Sequence, residues 1–188
     1  SLRHSLKTLL NKDALPATLI IFCFLLPYGA VNTFVAMYAE DTGLGLVNSG
    51  IYFTFLALTT ALMRALTGRV ADKKGEGPMV YASIASLGLS LLLLALWPHA
   101  AGYILSALFF GAGFGMMTPS MQAMAMRIAE PERRGSASST YLCGFDIGIG
   151  LGGIIGGLLV KHFGYTRMFA LMLLALLASL AVYQFWGR

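Results

Sequence analysis

The sequence predicts an all-α membrane protein of six transmembrane helices, arranged as two inverted three-helix repeats. Three observations carry this. Six apolar stretches alternate with short polar breaks, Lys and Arg gather on every second break, and one glycine-spaced pattern occurs twice. Composition agrees: 57% of residues are hydrophobic and 11% charged, against about 25% charged in soluble domains, and mean hydropathy is +0.76. Eleven of the thirteen bases fall on one side: Arg3, Lys7, Lys12, Arg64, Arg69, Lys73, Lys74, Arg127, Arg133, Arg134 and Arg188. Lys161 and Arg167 fall on the other. Short loops rich in Lys and Arg stay cytoplasmic, so both termini are expected inside. The net charge of +5 then reads as topology and attraction to anionic lipid headgroups. The aromatic-basic interleaving of single-strand binders is missing, so nucleic acid is not an expected partner.

A hydrocarbon core of about 30 Å takes about 20 apolar residues as helix. The spans are expected at 15–38, 47–67, 79–97, 101–126, 137–160 and 168–186. Residues 1–14 form a separate opening segment. Leu2, Leu6, Leu9 and Leu10 share a helical face, with Arg3, His4, Lys7 and Lys12 around it. That pattern suits a helix lying in the membrane interface, or a linker, with a frayed tail as the plain alternative. Helix 1 carries Pro27, Tyr28, Asn32 and Thr33. Helix 2 ends near Arg64, whose long stem lets it snorkel to the headgroups or pair with an acid across a gate. Helix 3, with Leu91 to Leu94, and helix 6, with Leu171 to Leu180, are nearly free of polar atoms and form an outer wall. Helices 1, 2, 4 and 5 hold polar groups that lipid cannot satisfy, so they build the interior. Helix 5 carries Gly148, Gly152 and Gly156 four apart, as close helix packing requires. That face serves either static packing within the bundle or a helix that rocks against a partner.

The repeated pattern is Gly68-x-x-x-Asp72-x-x-Gly75 after helix 2 and Gly157-x-x-x-Lys161-x-x-Gly164 after helix 5. Three helices is an odd number, so the copies lie on opposite sides. Inverted repeats of this kind build secondary transporters.

Asp146 is the only acid inside an expected span. An ionised carboxylate at the bilayer centre costs about 3 kcal/mol on insertion scales and more in simulations. Asp146 is therefore a proton carrier, a contact for a substrate cation, or a structural acid held by a neighbouring helix. Tyr28, Asn32 and Thr33 in helix 1, with Thr118, Ser120 and Gln122 in helix 4, are the polar cavity candidates. Asn32 and Gln122 lead, because a buried amide needs partners. Interhelical hydrogen bonding is the alternative role for all six. Pro27 and Pro119 free backbone carbonyls in these helices. Asp72, beyond helix 2, is placed to face a helix N-terminus, worth about 0.3–1 kcal/mol when exposed. Cys23 and Cys143 read as small buried hydrophobes. His4, His99 and His162 have no ligand spacing, so neither a metal nor a cofactor is expected. A phosphate loop, a Ser/His/Asp arrangement and paired carboxylates are all missing, which argues against an enzyme or an ATP-driven pump.

Gly68-Arg69-Val70-Ala71-Asp72-Lys73-Lys74-Gly75 is similar to the cytoplasmic loop motif of the major facilitator superfamily. Arg134 through Gly153 to Arg167 resembles that family's fifth helix and its exit, and Gly113-Phe114-Gly115 leading to Pro119 resembles its fourth. The resemblance covers nearly the whole chain. The family has twelve helices in two halves, so it implies a half, most like the C-terminal half of bacterial efflux-type members. It implies that the first helix of each triplet lines a central cavity, and that Gly68, Arg69, Asp72, Lys73 and Gly75 form an inner gate. There Asp72 contacts the other half. Glu76 and Gly77 follow Gly75 where the family carries bases, which implies a less firmly pinned gate.

The expected function is proton-coupled efflux of a small organic solute or drug across the bacterial inner membrane by alternating access. A second six-helix half, from the same polypeptide or a second copy, completes it. A non-transporting membrane scaffold or receptor domain is the competing class and needs neither Asp146 nor the polar cavity positions. An intramembrane enzyme would need an acid pair or a nucleophile and base at one depth.

Overall fold

A computed structural model describes residues 11–44 and 49–186. The opening segment expected at residues 1–14 lies largely outside the described residues. The helices are α1 (Leu15–Asp41), α2 (Ser49–Lys74), α3 (Gly77–Leu96) and α4 (Ala100–Ile128), followed by a helical stretch Arg134–Trp186. That stretch is broken once, at Gly164 (φ 78°, ψ 173°), giving α5 (134–163) and α6 (165–186). Among the described residues there is no strand, and five helical stretches, the last of them running through both α5 and α6, are long and apolar enough to cross a membrane.

The helices overrun the expected spans at their basic ends. α2 continues through Arg69, Lys73 and Lys74, so the glycine-spaced motif is its last two turns and not a loop. Hydropathy falls where charges begin, but Lys and Arg are good helix formers and the backbone continues past the hydrocarbon. Gly75 ends the helix: its φ is +74° and its N–H donates to the Ala71 carbonyl at 2.9 Å. Only glycine adopts that conformation freely. Gly164 does the same at φ +78°, so the two copies of the pattern share their backbone turn.

Register fixes the helix directions. The carbonyls of Leu56 and Thr60 on α2 stand against Gly111 and Gly115 on α4, so α2 and α4 run parallel. Gly144, Gly148, Gly152 and Gly156 on α5 stand against Thr18, Phe22, Leu26 and Ala30 on α1, so this pair is parallel too. A Cβ at Gly148 would lie 2.9 Å from the Phe22 carbonyl oxygen, and one at Gly156 would lie 2.8 Å from the Ala30 Cβ. α3 and α4 are antiparallel: Ser86 donates to the Phe109 carbonyl at 2.7 Å and Ser90 to the Ser106 carbonyl at 2.9 Å. α6 returns along α1, where Ser179 donates to the Ile20 carbonyl at 2.9 Å and Phe169 meets Tyr38 edge-on. The packing survives exchange of α1-α2-α3 for α4-α5-α6. α1 lies along α5 as α4 lies along α2, and α1 lies on α6 as α4 lies on α3. α1 meets α4, and α3 meets α6, across the pseudo-twofold axis.

Burial departs from expectation in two helices. α1 and α4 are the most buried spans, as interior helices should be. α2, expected inside, is the most exposed, and α3, expected in the outer wall, is buried far more. Buried α2 residues form a single stripe, Tyr52, Leu56 and Thr67, while Leu58, Leu62 and Leu66 are open. α3 is buried because its serines bond into α4.

The opening turn is tied down. Asn11 is buried; its backbone N–H donates to Thr140 Oγ1 at 2.9 Å and its side-chain amide to the Arg133 carbonyl at 3.5 Å. The parallel helices α1 and α5 are thus joined at their N-terminal ends.

Candidate functional site

The polar convergence of the molecule lies where α1, α2, α4 and α5 meet, around Arg64. Arg64 stands about two helical turns before Ala71, where the apolar span ends. Its guanidinium donates to Thr118 Oγ1 on α4 at 3.3 Å. Thr118 gives its own proton to the Phe114 carbonyl at 3.0 Å, so it meets Arg64 with a lone pair. On α5, the Tyr141 hydroxyl donates to the Thr118 carbonyl at 3.0 Å. Arg64 is within electrostatic reach of the Tyr28 and Tyr141 hydroxyls.

Aromatic rings wall one side. Tyr28 stacks on Phe114 (centroids 4.3 Å, planes at 22°) and on Phe110 (5.1 Å, 17°). Phe145 stands 6.1 Å from Phe114 and 6.3 Å from Tyr141. Helical periodicity explains the grouping: Tyr141 and Phe145, like Phe114 and Thr118, are four apart and share a face.

An Arg at the centre of a span costs about 2.5–3.5 kcal/mol on insertion scales. Among the described residues the one ion pair is Arg127–Glu76, at 3.0 Å, so Arg64 has no described carboxylate within bonding range.

Asp146 is exposed on α5, not buried against a neighbouring helix as a structural acid would be, and it looks away from α1. Asn32 and Gln122 are exposed as well, so the argument from buried amides does not apply to them. Thr33 is exposed and back-bonds to the Gly29 carbonyl at 2.7 Å. Ser120 is 1% exposed and its hydroxyl goes to the Met116 carbonyl at 2.7 Å. Thr118 is also buried, but Arg64 reaches it. Cys143, expected buried, is exposed.

In the gate motif, Arg69 and Lys73 are exposed in the last turns of α2. A Cβ at Gly68 would meet nothing within 4 Å, so no backbone approaches it within this unit. Of Asp72 only the helical backbone is described; it lies within α2, not one turn beyond it. Glu76, in the position of the motif's departure, pairs with Arg127 at the end of α4 and ties the α2–α3 turn to that helix.

Sequence reasoning gives Arg64 a headgroup or gate role and does not point to Tyr141 or the Phe114–Phe145 wall. With α2 running on to Lys74, Arg64 lies about two turns inside the apolar span that ends at Ala71.

A family model described as Major Facilitator Superfamily matches residues 17–188. The chain belongs to the major facilitator superfamily. An uncharacterised MFS-type transporter of Salmonella typhimurium is 27% identical over 155 residues, covering 82% of this chain and 39% of that protein. Uncharacterised MFS-type transporters of Burkholderia mallei and Burkholderia pseudomallei are each 27% identical over 157 residues, covering 82% of this chain and 38% of theirs. This major facilitator chain thus spans about two fifths of the length of the curated relatives it matches. It is an integral membrane protein, with apolar helices long enough to cross a membrane.

Proposed function

We propose that the chain is one half of a secondary active transporter working by alternating access. The observation that carries this is the unpartnered face of the unit. Side chains of α1, α2, α4 and α5 converge there on Arg64, and Asn32, Gln122 and Asp146 are open. A second six-helix half, from the remainder of the polypeptide or a second copy, closes over that face. The basic end lies in the cytoplasm of a bacterium, with both termini there and the bases against anionic headgroups. Residues 1–14 serve as the linker to the other half. Gly68, Arg69, Asp72, Lys73 and Gly75 form the inner gate, and the open space over Gly68 is where a helix of the other half would pack.

Asp146 is the proton carrier. Its protonation removes a charge that hydrocarbon disfavours, so loading and release of a proton change which closed state is cheaper. Transport is outward, of a small organic solute. The test uses the full native polypeptide in everted membrane vesicles with a pH-reporting dye and a broad solute panel. Asp146→Asn is expected to abolish the solute-driven dye response while thermal unfolding in detergent is unchanged. Full transport with normal pH dependence in that variant would sink the assignment, and no response to any solute in the unaltered protein would favour a scaffold.

A further inference from the structure

We infer that the solute carries an anionic group, a carboxylate being the simplest, held by Arg64, and a planar apolar body lying against Tyr28, Phe114 and Phe145. The inference rests on the transport reading of the same face and names the substrate class. Of the five N–H donors of a guanidinium, one goes to Thr118. Among the described residues no carboxylate lies within 4 Å of the rest. The hydroxyls beside it do not supply an anion and are already spent: Thr118 on the Phe114 carbonyl, Tyr141 on the Thr118 carbonyl. They hold the guanidinium in place and leave its other donors open on an exposed side chain of this unit. An anion that docks there offsets the guanidinium charge through a geometry Arg suits, two parallel N–H bonds to one carboxylate. The half-buried rings take the remainder of the ligand: Tyr28 and Phe114 are stacked and Phe145 stands tilted against Phe114, an apolar wall near the charge.

A cationic solute would select Asp146 instead. Among the described residues no hydrogen bond or ion pair engages Asp146, whereas the polar and aromatic groups of four helices gather about Arg64. Arg64 keeps its charge whatever the state of Asp146, so only an anion answers it in both.

The experiment measures thermal stabilisation of the full native protein in mild detergent by three probes of one shape: 2-naphthoate, its neutral amide 2-naphthamide, and 2-naphthylmethylammonium. The unaltered protein is expected to bind naphthoate about tenfold or more tighter than the amide, a difference of about 1.4 kcal/mol, and the ammonium least. Arg64→Gln should erase the preference for naphthoate and leave the weak amide binding, and Arg64→Lys should retain part of it. Equal binding of acid and amide, preference for the ammonium, binding of no probe, or a naphthoate preference that survives Arg64→Gln would each overturn the inference. The comparison within the unaltered protein decides even if neither variant folds. Vesicles that export cations while the protein ignores naphthoate would remove this inference alone. Naphthoate binding without any vesicle transport would remove the transport reading and leave the anion site standing.

Discussion

Arg64 and Asp146 carry opposite charges inside spans, and each is exposed in this unit. Their cost in hydrocarbon is several kcal/mol apiece on insertion scales, which favours a face turned to water or to another protein surface over one turned to lipid. The hydrogen bond from Arg64 to Thr118 is a modest tether. Interhelical bonds of this kind average about 0.6 kcal/mol and reach about 1.7. Thr118→Val is therefore expected to lower stability in detergent by about 1 kcal/mol or less, and Tyr141→Phe by a similar amount, as read by thermal unfolding. Loss of more than about 3 kcal/mol from either would mean that the cluster is structural. At this scale the sequence was only partly readable. The unusual residues stood out as types, Asp146 above all, but side was invisible. Helix 4 carries hydroxyls on more than one side, so nothing distinguished Thr118, which Arg64 reaches, from Ser120, whose hydroxyl is spent on the turn before it. In hydrocarbon a hydroxyl satisfies itself on its own helix, and the residue type does not report which face it occupies.

The α5 glycines pack against α1, and those of α4 against α2. A Cβ at Gly152 would fall inside contact distance of the Leu26 backbone carbonyl, an atom no rotamer change can move. Gly152→Val is expected to destabilise by about 1–3 kcal/mol, the usual cost of overpacking. Gly150→Ala, where a Cβ meets nothing within 4 Å, should be neutral or slightly stabilising. Thermal unfolding of the two variants side by side makes the check, and equal effects would contradict the packing. Helix number and order were legible because charge and apolar length are coarse signals. The basic ends were not: α2 runs seven residues beyond its expected end at residue 67, to Lys74, since hydropathy marks the membrane boundary and not the end of hydrogen bonding. The Glu76–Arg127 pair was illegible, because it joins elements far apart in the chain. With Arg127 largely solvated, its removal by Glu76→Gln should cost no more than about 1 kcal/mol. Its effect should fall on the rate of gating, measured by stopped-flow in the same vesicles.

At the scale of the whole molecule, a shared turn at Gly75 and Gly164 and packing that survives exchange of the triplets make this unit internally complete. α2 is the least buried span, and Asn32, Gln122 and Asp146 are exposed. The matched stretch covers about two fifths of the relatives' length, and on the proposed reading a second half supplies the rest. On the proposed function, the face around Arg64 lines a water-filled path whose two ends open in turn. Asn32 lies toward the acidic end of α1, and Gln122 toward the basic end of α4. Leu174, on α6, is 62% exposed on a face expected to meet lipid. The direct measurement is labelling of Asn32→Cys, Gln122→Cys and Leu174→Cys, each in a Cys23→Ser, Cys143→Ser background of the native polypeptide, by an impermeant thiol reagent from either side of the membrane. The account predicts that Asn32→Cys labels from outside and Gln122→Cys from inside, both well above Leu174→Cys. Reversing an imposed proton gradient should then shift the two in opposite directions. Labelling of both no better than at Leu174→Cys, or a shift of both in the same direction, would contradict it.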